Sequence, residues 1–290
     1  MNYYVKYPNE NNNVVECWSL KRLPFEPKGW LYDMRESLKA AVGQLSVDND
    51  SILRGTYSSP INDLCDVENV LFYNIGTGAF KNACQYGFLL ERRFEKILPP
   101  AELSEIYPHY QRYELKTKDQ PSLGWTMKNT LASWDNIVFD KLVTSIKPHV
   151  FWRLFKENQV FVFGDDVYDG YYGIELELTM PKDNAINSAA VVKPLLDGII
   201  SAFHSYDGDQ LAEVTRRLGT IFTDIAHDYI SKLIIDKKLA VLGNRRVLHP
   251  YQNFVQWNPA DDKCVVIKLI CKYVESGVSP MVSGRLFEVE

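Results

Sequence analysis

Glu175 and Glu177 stand two places apart in the run YYGIELELTM, and Asp165 and Asp166 precede them in the connector GDDVYDGY. Side chains at i and i+2 of a strand share a face. A strand here turns Glu175, Glu177 and Thr179 one way and Ile174, Leu176, Leu178 and Met180 the other. If an acid of the connector returns to the glutamate side, three oxygen ligands surround an open position. That donor set suits Mg²⁺ or Mn²⁺, hard ions that also bind phosphate oxygens. Such an ion orients a water and offsets the charge that builds on a phosphodiester. The competing account is a solvated strand face, which also shows acids on alternate positions.

The order of these acids resembles the PD-(D/E)xK nuclease core, in its variant where the last position is an acid. The matching residues are Asp165 or Asp166, Glu175 and Glu177. No proline precedes the aspartate and no lysine follows Glu175 at the pattern's place. The resemblance implies a metal-dependent phosphodiesterase or nuclease acting on nucleic acid, with Mg²⁺ or Mn²⁺ as its ion. Lys182 and His204 are the candidates for assisting proton transfer. His204 lies in KPLLDGIISAFHSYDG, where a helix puts Asp197, Ser201 and His204 on one side. Asp197 and His204 are then about 10 Å apart along the axis, long for a single ion. The words Lys193 to Gly198 also resemble the KPDxDN segment of small phage-type Holliday-junction resolvases. Leu195 and Gly198 replace its first Asp and its Asn, which removes an acidic ligand. A third candidate is NIGTGAF, where Gly76 and Gly78 let backbone approach a phosphate. This would make a nucleotide-sensing module, although the loop has neither a third glycine nor the lysine of a P-loop.

These residues need elements to position them. Helical spacing marks GWLYDMRESLKAAVGQL, a segment within 126–146, VVKPLLDGIISAFHSYD with Pro194 in its first turn, and a six-turn helix over 209–235. Strands are expected at ILRGTY, at ENVLFYN running into the glycine turn, at HYQRYELK, NFVQW and KCVVIKLICKYVE. QVFVF and YGIELELTM read as a hairpin. FLLERRFEKIL is ambiguous between strand and helix. Strands cluster with strands, so the expected class is α+β, with mixed or antiparallel sheets packed against amphipathic helices. The polar stretch KTKDQPSLG suggests an N-terminal lobe over 1–118 and a C-terminal lobe over 124–290, or one continuous domain.

The totals set the outer bounds. The chain has 290 residues, 46% hydrophobic and 24% charged, with a net charge of −5. That is the balance of a folded protein, and it leaves nucleic-acid binding to a local basic patch. Arg92 with Arg93, Arg216 with Arg217, Lys237 with Lys238 and Arg245 with Arg246 are the candidates. Five cysteines without CxxC spacing point to free buried thiols and a cytoplasmic location rather than a disulfide framework. No apolar run approaches a membrane span. The bland alternative to an enzyme is a non-catalytic interaction subunit that meets a protein partner through its Tyr- and Trp-rich surface.

Overall fold

The computed structural model describes residues 1–10, 12–47, 51–61, 64–103, 107–164, 166–184 and 186–290. Ten strands form one mixed sheet, which with its helices makes an α+β fold. They are β1 (Tyr3–Lys6), β2 (Val14–Ser19), β3 (Ser51–Ser58), β4 (Gly87–Arg93), β5 (His109–Thr117), β6 (Met127–Val138), β7 (Phe161–Val162), β8 (Tyr172–Pro181), β13 (Cys264–Val274) and β14 (Met281–Val289). Two small ladders pair β9 (Ser205–Tyr206) with β10 (Asn244–Arg245) and β11 (Leu248–Tyr251) with β12 (Phe254–Trp257). The helices are α1 (Trp30–Val42), α2 (Pro148–Glu157), α3 (Ser188–Ala202), α4 (Leu211–Gly219) and α5 (His227–Ile235).

The strand order is β1-β2-β5-β3-β4-β13-β8-β14-β6-β7. Read outward from the centre, its two halves repeat one topology. β3 runs parallel to β4, and β8 parallel to β13. β5 is antiparallel to both β3 and β2, as β14 is to both β8 and β6. The halves join along β4 and β13, which are antiparallel. That direction is what a two-fold axis through the seam requires. Each half has one crossover between its parallel strands. The first carries the helical turns at Asn69–Tyr73 and Thr77–Phe80, and the second carries α3, α4 and α5.

One face of the sheet holds the main core. Ile174, Leu176, Leu178 and Met180 are fully buried there, in one cluster with Leu195 and Ile199 of α3 and with Met34 and Leu38 of α1. Fully burying such a side chain contributes roughly 1.5–3 kcal/mol. Helix α2 lies close against α3, because a Cβ on Gly198 would run into the Pro148 carbonyl oxygen and Phe151.

Several expected elements differ. Residues 126–146 begin with β6, not a helix. The register of β6 against β14 shifts repeatedly, and Asn136 has φ 49°. Bulges break the two-residue alternation, so Leu131, Trp134 and Ile137 are buried at a spacing that imitates a helix. The long helix over 209–235 is two helices, α4 and α5, with Gly219 ending the first against the His227 ring. ENVLFYN is a wide helical turn, so the glycine loop follows a helical segment rather than a strand. β7 and β8 do not form a hairpin, since β14 and β6 lie between them.

Candidate metal centre

Among the described residues, the strand acids do not come together as a cation site. Glu175 and Glu177 do share the sheet face opposite α3, but each is already held by cations. Glu175 faces Lys268 on β13 and Arg285 on β14 in direct register. Its Oε1 is 2.9 Å from Lys268 Nζ, and its Oε2 is 2.6 Å from Arg285 Nη2. Glu177 pairs with Lys272 at 2.7 Å. Asp166 is exposed and borders a different cavity, beside Asn129 and Glu288. Asp165 lies outside the described residues. Among the described residues, only one group of three or more His, Cys, Asp and Glu side chains can converge on an ion, and it contains none of these.

The proton-transfer candidates also stand elsewhere. Lys182 is exposed in the short turn after β8. His204 is buried just past the end of α3. The Ala260 N–H donates to its Nε2 at 3.2 Å, so Nδ1 is left to donate to the Gly243 carbonyl at 3.3 Å. Burial pushes its pKa down to about 4. His204 is therefore a neutral linker that fixes the 260–263 turn. Gly76 has φ 121° and lies against the Lys39 side chain, while Gly78 is the second residue of a four-residue turn. The φ value explains the glycine, and a helical turn this short provides no phosphate site. The basic pairs are largely committed: Arg216 and Arg217 to Glu213, Arg245 to the Asn258 carbonyl, and buried Arg92 to the Cys65 and Asp262 carbonyls. All five cysteines are buried, and none forms a disulfide among the described residues.

The convergent group is Asp66, Glu68 and Asp261, each offering an oxygen within 4.8 Å of the others. Asp66 and Glu68 lead into the helical turn of the first crossover. Asp261 starts a short turn before β13, in the second. The site thus forms where the two equivalent crossovers meet. Helix α3 adds Lys193 and, one turn on, Asp197. Lys193 Nζ is 2.6 Å from Asp261, 3.0 Å from Asp197, 3.1 Å from Glu68 and 3.2 Å from Asp66. Only the contacts to Asp66 and Asp261 have hydrogen-bond geometry. Those to Glu68 and Asp197 are close in distance but misdirected. Both Glu68 carboxylate oxygens are buried with no hydrogen-bond partner among the described residues, and the residue is 0% exposed.

The electrostatics follow from this count. Four carboxylates surround one ammonium, so the group is short of positive charge. Burial pushes Glu68 up to about 8 despite Lys193, with Asp261, Asp66 and Asp197 adding to the rise. Burial likewise raises Asp197 to about 6. The acids hold Lys193 charged, well above the usual ammonium range, although burial opposes this. A buried carboxylate left without a partner is costly. Proton uptake relieves the imbalance, and so does a second cation.

Helix α3 begins at Ser188, earlier than expected, so Pro194 is not in its first turn. Pro194 lies inside the helix, so the Ala190 carbonyl loses its usual donor. The Tyr73 hydroxyl donates to that carbonyl at 3.0 Å and accepts from the Lys193 N–H at 3.3 Å. Tyr73 thereby ties the first crossover to the second beside the acids. On the outer side, Asp66 borders an open cavity of about 640 Å³ lined also by Lys21, Arg22, Phe25, Leu64 and Asn69. The side chains of Asp66 and Lys193 are each 23% exposed, and Asp66 is the member of the group that borders this cavity.

Asp66, Glu68 and Asp261 were not singled out as ligands from the sequence. The available signal was charge in apolar surroundings: DVENVLF and ADDKCVV bury acids beside Val67, Val70 and Val265. Among the described residues, no helix is long and apolar enough to cross a membrane. Comparison with protein-family models, curated proteins and solved structures finds no match to the chain.

Proposed function

We propose that this protein is a divalent-metal-dependent phosphodiesterase whose ion is held by Asp66, Glu68 and Asp261, with Mg²⁺ or Mn²⁺ as the ion. The observation that carries the reading is the buried Glu68 carboxylate, which accepts no hydrogen bond within a group of four acids and one ammonium. Oxygen-only ligands suit a hard cation. The ion's role is to bind a phosphoryl oxygen and lower the pKa of a coordinated water. Lys193 is placed to offset charge on the phosphoryl group, and Asp197 to keep its ammonium in position. The cavity at Asp66 supports a substrate approaching from outside, where Lys21 and Arg22 offer charge to neighbouring phosphates and exposed Phe25 offers a stacking surface. A nucleic-acid strand has this chemistry.

The test is a melting curve with and without Mn²⁺, together with hydrolysis of bis(p-nitrophenyl) phosphate and of a labelled single-stranded oligonucleotide. Mn²⁺ should raise Tm and support hydrolysis, and Glu68→Gln and Asp261→Asn should each remove both effects. A Tm indifferent to Mn²⁺, or hydrolysis that survives Glu68→Gln, rejects the reading.

A protein-interaction role rests on a separate observation. Phe161, Phe163 and Val167 are 53%, 49% and 60% exposed along the β7 edge of the sheet. An apolar open edge is a template for strand addition. Concentration-dependent self-association that Phe161→Lys abolishes would favour it.

A further inference from the structure

The polar stretch at 116–124 is part of a wall. Arg54 Nη2 donates to the Pro121 carbonyl at 3.1 Å, and Glu91 Oε1 accepts from the Leu123 N–H at 2.8 Å, from the Gly124 N–H at 3.3 Å and from the Ser122 hydroxyl. Arg54 and Glu91 are themselves a buried ion pair at 2.7 Å. The segment is therefore pinned over the open face of the sheet, opposite the helices.

Beneath it lies a cavity of about 260 Å³. It sits on the seam between the two halves, where Leu89 of β4 faces Lys268 of β13. Leu89, Val266, Phe287, Val289 and Trp125 make its walls apolar. Its floor is polar and unbalanced. Lys268 and Arg285 are both there, with Glu175 alone between them. Two cations against one carboxylate leave one positive charge. Arg285 uses Nε and Nη2 on a single oxygen of Glu175, so its remaining guanidinium N–H groups are available. Asp119 also borders the cavity, but as an exposed residue on the pinned segment, where solvent weakens its field.

We propose that this seam cavity binds a small organic anion, a carboxylate on an aliphatic or aromatic body. The apolar walls take the body, and Arg285 and Lys268 take the carboxylate. An apolar enclosure with a few convergent polar groups is the usual construction of a small-molecule site, and charge-assisted bonds to a guanidinium are its strongest form of anchoring. The site lies on the opposite face of the sheet from Asp66, Glu68 and Asp261, so it stands independently of the metal centre.

Calorimetry on the full chain tests this with benzoate, octanoate and 4-phenylbutyrate, and with 4-phenyl-1-butanol and 4-phenylbutylamine as neutral and cationic matches. At least one acid should bind, 4-phenyl-1-butanol should bind at least tenfold more weakly than 4-phenylbutyrate, and the amine more weakly still. Arg285→Met and Lys268→Met should each weaken acid binding at least tenfold, because either leaves the floor neutral. Glu175→Gln should strengthen it, because the floor then carries two uncompensated charges. If one variant fails to melt cooperatively, the other two decide. No binding by any of the acids, equal binding of acid and alcohol, or affinity unchanged across the folded variants overturns the proposal.

Discussion

Glu68 and His204 are buried titratable groups whose pKa values move in opposite senses for one reason. Burial disfavours the charged form, which is the anion for the acid and the cation for the imidazole. Glu68 is raised from 4.5 to about 8, so the folded chain keeps a proton that the unfolded chain has released. Stability of the metal-free protein should therefore fall as pH rises between about 4.5 and 8, by on the order of 3 kcal/mol at pH 7. Urea denaturation across that range checks it, and Glu68→Gln should flatten the slope. His204 is lowered from 6.5 to about 4. Its stabilisation is complete above 6.5 and should be lost as pH falls toward 4, again by on the order of 3 kcal/mol. In His204→Gln this acid-side loss should disappear while stability at pH 7 drops, because the bonds to Ala260 and Gly243 are weakened.

The elements matter through how they are joined. Proline inside α3 removes one hydrogen bond and would be expected to cost about 3 kcal/mol in an isolated helix. Tyr73 recovers part of that by donating to the stranded Ala190 carbonyl. Tyr73→Phe should therefore destabilise the protein by roughly 1 kcal/mol, because the half-buried Ala190 carbonyl loses its donor. In a Pro194→Ala background the same change should cost less, since residue 194 then has its own N–H for Ala190. A double-mutant cycle in chemical denaturation measures this, with an expected coupling of about 0.5–3 kcal/mol. Additive effects would mean that Tyr73 acts by packing alone. Tyr73 also accepts from the Lys193 N–H at 3.3 Å, so it touches the backbone of the residue whose ammonium meets the acids.

At the scale of the molecule, the seam between β4 and β13 decides cooperativity. Gly87 has φ 123°, and a Cβ there would meet the Leu269 carbonyl oxygen, so the strands approach closely at the join. Both halves also feed one hydrophobic cluster, which runs from Leu53 and Phe88 to Ile174 and Leu269. Unfolding should accordingly be a single transition, with far-ultraviolet circular dichroism and tryptophan fluorescence changing together in denaturant. Chains covering 1–118 or 124–290 alone should fail to fold, because each would expose one side of the seam and part of the buried acidic group. Two separated transitions, or a folded half, would show instead that the seam is only a contact between independent lobes.

Local pattern alone was enough to specify the α+β class, α1, α3, β3, β5 and the in–out alternation of β8. These depend on apolar periodicity and on near neighbours, which sequence spacing carries directly. It also put Asp197 on a helix, on one side with Ser201 and His204. It did not bring Asp66 and Glu68 to Asp261, nearly two hundred residues away in the chain, nor did it show that Lys268 and Arg285 would flank Glu175. Both outcomes depend on strand order and register, and strand order is set by long-range pairing between segments whose local patterns are alike. The pairing of β8 with β13 and β14 placed cations on the strand glutamates, and the meeting of two crossovers buried a different set of acids with too few cations.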